Sequence, residues 1–303
     1  MRRILITGAT GFVGRQILNA LDRPEIALDL IVRTGKEHQI TERGCLGRVK
    51  TSPDIFSESE EWWAEQCQGI DTIIHAAWYA EPGKYLQSPL NMECLQGSLR
   101  LAKAAAQAGV RRFVGIGTCF EYDTSKAVLS VDTPLRPSTP YAAAKAALFF
   151  GLSNWLHTQS VEFVWCRLFY LYGIGEDKRR LVPYIRHQLE NGQPAQLTSG
   201  KQIRDFLDVE QAGKKIAEIA LSDITGPVNI CSGIPVTVRQ FAEHIADQYG
   251  QRNLLQFGKR IDNITDPPCI VGISNINNYI PDYPQRSASF TQGAILGAGG
   301  ITP

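Results

Sequence analysis

The chain has 303 residues, 44% of them hydrophobic and 20% charged, which excludes a collagen-like, coiled-coil or largely disordered architecture and leaves volume for one or two cored domains. Lys and Arg number 31 against 30 Asp and Glu, a formal net charge of +1, so there is no long-range field to gather nucleic acid or an anionic membrane. Seven widely spaced cysteines, with no C-x-x-C pair, argue against a disulfide framework or zinc site and fit a reducing cytoplasm.

In chain order, Ile4-Leu5-Ile6 is a short apolar run, predicted as a strand. The opening MRRILITGATGFVG is basic and then apolar, but Gly8 and Gly11 break the run, so a signal peptide is not expected. No stretch reaches the roughly 18 apolar residues of a membrane helix. Phe12 to Leu21 has helical spacing, and Leu28 to Val32 reads as a strand. Helical stretches follow at Glu60–Cys67 and Leu90–Ala108, with strands at Asp71–Ala77 and Arg112–Ile116. Tyr141 to Leu156 reads as a long helix entered through Ser138-Thr139-Pro140, and Val161 to Leu168 as another strand. Alternating strands and helices, with Ile- and Val-rich strands, predict an α/β fold: a doubly wound parallel sheet with helices on both faces. After Phe169 the pattern loosens into a smaller lobe, with a return to the sheet near Phe206–Ala220 and Val228–Ile230. The Gly-rich stretch Ser287–Pro303 is expected to be poorly ordered.

The string ILITGATGFVGRQIL puts Gly8, Gly11 and Gly14 between the first strand and the first helix. Gly8 suits the tight turn, Gly11 a close backbone approach to a pyrophosphate, and Gly14 the packing of helix on strand. The helix N-terminus then presents free N–H groups to the phosphates. Thr10, Phe12 and Val13 share the loop and are assigned to the cofactor with the glycines. In such folds the residue ending the second strand selects the dinucleotide: an acid holds the ribose 2′-OH of NAD, an arginine takes the 2′-phosphate of NADP. Here it is Arg33, which favours NADP(H) over NAD(H). Asp29 lies too early to be the acid, and Asp54-Ile55 after the next strand could flank the adenine.

Tyr141 and Lys145 stand one helical turn apart and face the same way, and Thr118 closes the preceding strand. A phenol with an ordinary pKa near 10 is a weak proton carrier at neutral pH; a nearby ammonium would lower it. Tyr141 could then exchange a proton with a carbonyl or alcohol oxygen that Thr118 holds in line, and Lys145 could also bind the nicotinamide ribose. The five histidines do not cluster with other ligands, so no metal is expected, and His75, inside a strand, reads as a core residue. Trp62 and Trp63 read as packing residues. Trp78 follows the fourth strand, where the crevice opens, and suits either sugar contact or packing; Lys178-Arg179-Arg180 suits either a solvated turn or a diphosphate.

The glycine loop, IIHAA, the Thr118 segment, Tyr141/Lys145 and GKQIRDFLDVEQAG, in that order, resemble an extended short-chain dehydrogenase/reductase of the nucleotide-sugar epimerase/dehydratase/ketoreductase type, over about residues 1–240. The resemblance implies a Rossmann-type dinucleotide-binding domain at 1–168, with return segments near 205–230. It implies a nucleotide-sugar lobe at 169–204 and 231–303 that moves to exclude water. It places Ala76 and Ala77 on the cofactor, makes Thr118 the catalytic hydroxyl, and closes Leu168 and Phe169 over the nicotinamide. Arg204 would pair with the diphosphate, Asp205 would be structural, and Pro183 would open the nucleotide wall. It also implies a homodimer through the Leu90–Ala108 and Tyr141 helices. Departures narrow the reaction. The family's 4,6-dehydratases carry Asp-Glu directly after the threonine, where this chain has Cys119 and Phe120, left here as substrate contacts; Glu121 is one place further on and points elsewhere. Many 4-epimerases carry asparagine where this chain has Tyr170. The expectation is an NADPH-dependent 4-ketoreductase of a nucleoside-diphosphate sugar. The alternatives are an NAD-dependent 4-epimerase and a non-catalytic dinucleotide-binding regulator.

Overall fold

The computed structural model describes residues 2–263 and 265–276; the stretch Ser287–Pro303 lies outside them. The strands are β1 (Arg2–Thr7), β2 (Ile26–Arg33), β3 (Leu46–Ser52), β4 (Thr72–His75), β5 (Arg112–Thr118), β6 (Val128–Leu129) and β7 (Glu162–Leu168). They continue with β8 (Tyr170–Tyr172), β9 (Ala195–Gln196), β10 (Ile203–Asp208), β11 (Gly226–Ile230), β12 (Pro235–Thr237), β13 (Leu255–Gln256) and β14 (Cys269–Gly272). The helices are α1 (Phe12–Ala20), α2 (Glu60–Gln66), α3 (Leu90–Gln107), α4 (Pro140–Thr158), α5 (Leu181–Glu190), α6 (Val209–Leu221) and α7 (Val238–Asp247).

Seven strands form one sheet in the order β11-β7-β5-β4-β1-β2-β3, every pairing parallel. After β3 the chain crosses back to β4 on the other side of β1, so the topological switch lies between β1 and β4, where such sheets open a crevice at their carboxyl ends. One apolar layer, including Ile4, Ile6, Ile17, Leu28, Val114 and Ile216, sits under α1 and α6. The other, including Leu5, Ile73, Phe113, Leu101, Leu148 and Trp165, sits under α2, α3 and α4. Burial on both faces is why these strands read as near-continuous apolar runs.

The second sheet runs β12-β10-β14-β6, with β8 also paired to β10. Within the stretch Phe206–Ala220, the strand β10 therefore belongs to this smaller sheet, while α6 follows it back onto the large sheet's α1 face; β11 alone adds the seventh parallel strand. α5 and α7 pack together over Val182, Ile185, Phe241 and Ile245. Asp205 ties the lobe's loops: its carboxylate accepts from Ser232 N at 2.7 Å, Gly233 N at 2.8 Å and Gly272 N at 3.1 Å.

Candidate active site

The glycine loop lies at the switch point. Gly8 has φ +76°, a left-handed conformation that favours glycine, and a Cβ there would stand 2.6 Å from Ala77 N. At Gly14 a Cβ would stand 2.0 Å from Gly8 O, so α1 touches the loop directly. Gly11 is the N-cap of α1 and no side chain caps that end, which leaves the first-turn N–H groups for an anion. Beside the loop opens a cleft lined by Gly8, Thr10, Gly11, Arg33, Asp54, Ile55, Ala76, Ala77 and Trp78. The cleft also takes in Ile31, Val32, Lys36, Gln39, Ser52, Pro53 and Phe56, which the motifs did not single out. Arg33 is exposed at the end of β2. Asp29 is buried and held by Arg3 at 3.1 Å and Arg48 at 2.7 Å, which removes it as a ribose acid. An uncapped helix end, close backbone and a polar rim fit a dinucleotide.

Seven of the expected cofactor residues lie outside this cleft's lining: Gly14, Tyr141 and Lys145, and also Phe12, Val13, Leu168 and Phe169. Phe12 and Val13 are half-buried at the start of α1, Leu168 packs against the core beneath α1 and α6, and Phe169 joins a small buried cluster with Cys119, Tyr122 and Cys231.

The proton-transfer candidates converge at the head of α4. Thr139 Oγ1 accepts from Ala142 N at 3.2 Å and Pro140 takes the first turn, so the helix starts one residue before Tyr141. Thr118 ends β5, with its hydroxyl near enough to the Tyr141 phenol to act on it. Two aromatic rings enclose Tyr141: Tyr85, perpendicular at 4.8 Å, and Trp78, perpendicular at 6.5 Å. Lys145 is buried; its Nζ donates to Ile116 O at 2.7 Å and lies 3.7 Å over the Trp78 ring. Burial lowers the Lys145 ammonium to about 7, against the pull of the Glu121 and Cys94 side chains. Burial, then the neighbouring Tyr85, pushes the Tyr141 phenol up; the Thr118 hydroxyl pulls the other way. The expectation that Lys145 lowers the phenol is therefore corrected for the protein without cofactor. The ammonium is engaged by a backbone carbonyl and an indole face, and a dry site opposes the phenolate.

Beneath Thr118 lies a buried polar network. Glu121 accepts from Thr118 N at 2.8 Å, from Trp165 Nε1 at 3.0 Å and from Arg167 Nε at 2.7 Å. Arg167 Nη1 donates to Tyr122 Oη at 3.0 Å, which donates to Asn229 Oδ1 at 2.7 Å. Glu121 thus points into the core, as its extra place after Thr118 predicts. His75 is a satisfied core residue: Nδ1 lies 2.8 Å from Thr7 Oγ1 and Nε2 2.8 Å from Ser98 Oγ. Burial, with Lys145 adding to it, holds His75 down at about 3.

On the lobe side Arg204 is buried, donates to Asp266 Oδ2 at 2.6 Å and lies 5.1 Å over the Tyr170 ring. Its acid partner lies 62 residues away and is neither Asp205 nor Asp208. A second pocket is lined by Arg179, Arg180, Leu181, Tyr184, Leu197, Thr198, Val238 and Arg260. The basic triplet signalled Arg179 and Arg180; Arg260 carried no signal, since isolated charges in loops are usually solvated. Cys119 is buried, and Phe120 lies edge-on to Tyr170 at 6.1 Å. All seven cysteines are free thiols. Among the described residues no cluster of three or more His, Cys, Asp or Glu could hold a metal, and no helix is long and apolar enough to cross a membrane.

A glycine loop at the switch point and a Thr–Tyr–Lys group beside it define an extended short-chain dehydrogenase/reductase. The chain belongs to the NAD dependent epimerase/dehydratase family, whose model matches residues 4–230. It is 25% identical over 249 residues to a dTDP-6-deoxy-L-talose 4-dehydrogenase (NAD(+)) of Aggregatibacter actinomycetemcomitans, covering 81% of this chain and 90% of that protein. To a dTDP-glucose 4,6-dehydratase of Streptomyces niveus it is 26% identical, covering 82% and 78%. The fold matches that of a UDP-N-acetylglucosamine 4-epimerase of Methanobrevibacter ruminantium solved with UDP-N-acetylmuramic acid: TM-score 0.80, 21% identity, 92% of this chain and 91% of that one. It likewise matches a Streptomyces venezuelae dTDP-glucose 4,6-dehydratase with NAD and TYD bound, at TM-score 0.79, 22% identity and coverage of 94% and 93%.

Proposed function

We propose that the chain reduces the 4-keto group of a nucleoside-diphosphate-linked deoxysugar, or runs that reaction in reverse. The observation that carries this reading is the direction of Glu121. Cys119 and Phe120 fill the two places where the family's dehydratases keep an acid and a base, and the nearest carboxylate is committed to Arg167 and Trp165 in the core. Water elimination lacks its proton carriers, and hydride transfer with proton exchange remains. The 4-dehydrogenase named among the relatives acts at the same position of a sugar.

A bound nicotinamide would supply or accept the hydride. Tyr141 gives its proton to the carbonyl oxygen as that oxygen gains charge, and Thr118 holds the oxygen in line. Lys145, which bonds Ile116 O here, would hold the nicotinamide ribose hydroxyls, and its charge near the phenol would favour the phenolate. Residues 1–168, with α6 and β11 (209–230), hold the dinucleotide; 169–208 and the described part of 231–303 hold the sugar nucleotide, with Arg204 and the Arg179–Arg180–Arg260 pocket on its phosphates and base. Among dinucleotides this reading takes NADP(H) over the NAD named for relatives, on Arg33 and Lys36 at the cleft rim. The exposed apolar side of α3 and α4 serves a homodimer.

The test is to mix purified protein, NADPH or NADH, and a panel of nucleotide 4-keto-6-deoxysugars, and follow the reduced-nicotinamide absorbance. Stoichiometric cofactor consumption with a 4-hydroxy product is expected. Tightly retained NAD with no net consumption, and exchange between 4-epimers, would mark a 4-epimerase instead. Replacing Arg33 with Ala should weaken NADPH binding about tenfold and leave NADH unchanged, if the 2′-phosphate meets it.

A further inference from the structure

Tyr170 opens β8, between the Thr118–Tyr141 group and Arg204. Its ring is fixed on several sides: Phe120 edge-on at 6.1 Å, Phe206 at 6.2 Å, and the Arg204 guanidinium 5.1 Å over its face. Its phenol Oη is buried and has no hydrogen-bond partner among the described residues. A phenylalanine would make the same ring contacts, so the hydroxyl serves no packing purpose. A buried hydroxyl without a partner costs stability, and such groups in folded proteins call for a cause outside the fold itself. The groups close enough to act on this phenol electrostatically are Cys119, Arg204, Asp266 and Tyr85. Cys119 and Tyr85 belong to the Tyr141 end, Arg204 and Asp266 to the anion end. A sugar nucleotide with its carbonyl at Tyr141 and its diphosphate at Arg204 would pass this phenol.

We propose that Tyr170 is a substrate-positioning residue whose phenol hydrogen-bonds an oxygen of the glycosyl group of a nucleoside-diphosphate sugar. The proposal rests on the sugar-nucleotide reading above and adds a residue that fixes the ring between the transferring carbon and the phosphates. Substrate supplies the partner that the described residues withhold, so the bond forms only on binding.

The experiment compares wild type and Tyr170→Phe by titration calorimetry with UDP and dTDP, and with UDP-glucose and dTDP-glucose, alongside thermal unfolding. Wild type should bind a sugar nucleotide more tightly than its bare diphosphate. The Phe variant should lose about tenfold in sugar-nucleotide Kd, keep its affinity for the bare diphosphate, and melt at the same temperature or higher. Unchanged sugar-nucleotide affinity overturns the proposal, and so does an equal loss for the bare diphosphate, which would put the contact on phosphate. A clearly lowered melting temperature also overturns it, since the hydroxyl would then serve the fold. Wild type that binds none of the four nucleotides overturns the sugar-nucleotide reading itself, a result separable from the other three.

Discussion

Tyr141 and His75 are both titratable, both walled in, and put to opposite uses. Tyr141 has the Thr118 hydroxyl beside its phenol, and desolvation favours its protonated form. Tyr141→Phe should therefore retain dinucleotide affinity while kcat falls about 10²–10⁴-fold, checked by stopped-flow consumption of NADPH against fluorescence titration of the same cofactor. His75 has both ring nitrogens engaged and no role beyond the core. Its folded pKa of about 3 lies below the ordinary 6.5, so between those values the unfolded chain binds a proton that the folded one refuses. The stability tied to this group is whole above pH 6.5 and is lost as pH falls toward 3. One proton contributes about 1.4 kcal/mol per pH unit in that window. His75→Gln should flatten the wild-type decline by that amount in urea unfolding free energies taken across it; an identical slope in the two proteins would refute a neutral His75.

Elements converge on two tight contacts, and each carries a prediction. The first is α1 against the glycine loop. Gly14→Ala drives a methyl into Gly8 O, which the backbone can relieve only by moving the glycine loop, the proposed phosphate cradle. A dinucleotide Kd weakened at least about tenfold and a lowered melting temperature should follow together, measured by NADPH fluorescence and calorimetry. The second is the buried Glu121 knot joining β5 to β7 and, through Tyr122 and Asn229, to β11. Glu121→Ala strands Arg167 in the core and should cost about 3–5 kcal/mol in chemical unfolding; a loss under 1 kcal/mol would mean that water reaches the arginine. Most of the large sheet was legible because its central strands are apolar on both faces, and each motif sits at a local spacing of a few residues; β3, largely exposed and polar, gave no such run. The Tyr141–Lys145 pair was legible for the same reason. The Tyr85 ring on Tyr141, the Trp78 face under Lys145 and the Asp266 partner of Arg204 were not. Those contacts join distant segments, where no period or spacing links the residues. The smaller sheet escaped as well, since β6, β8, β10, β12 and β14 are short, partly polar and drawn from five separated stretches.

On the scale of the whole molecule, α3 and α4 lie side by side and leave large apolar groups in solvent: Met92 and Phe150 are each 54% exposed and Leu99 is 41% exposed. Met92 and Leu99 are seven residues apart on α3 and share a face, and Leu99 leans toward Gly151 on α4. A patch of this kind on a two-helix surface is what a symmetric partner covers, two helices from each copy making four. The consequence reaches the site, because α4 carries Tyr141 and Lys145 near its start while its middle would be clamped by the second copy. Charging the patch should separate the two effects. Leu99→Lys combined with Phe150→Glu should halve the mass seen by light scattering at micromolar concentration without changing the far-ultraviolet dichroism. The melting temperature of the separated protein should become independent of concentration, whereas that of wild type rises with it. If wild type already has the mass of one chain, the α3–α4 surface needs another occupant, and order at the head of α4 must come from Thr139, Pro140 and the rings around Tyr141 alone.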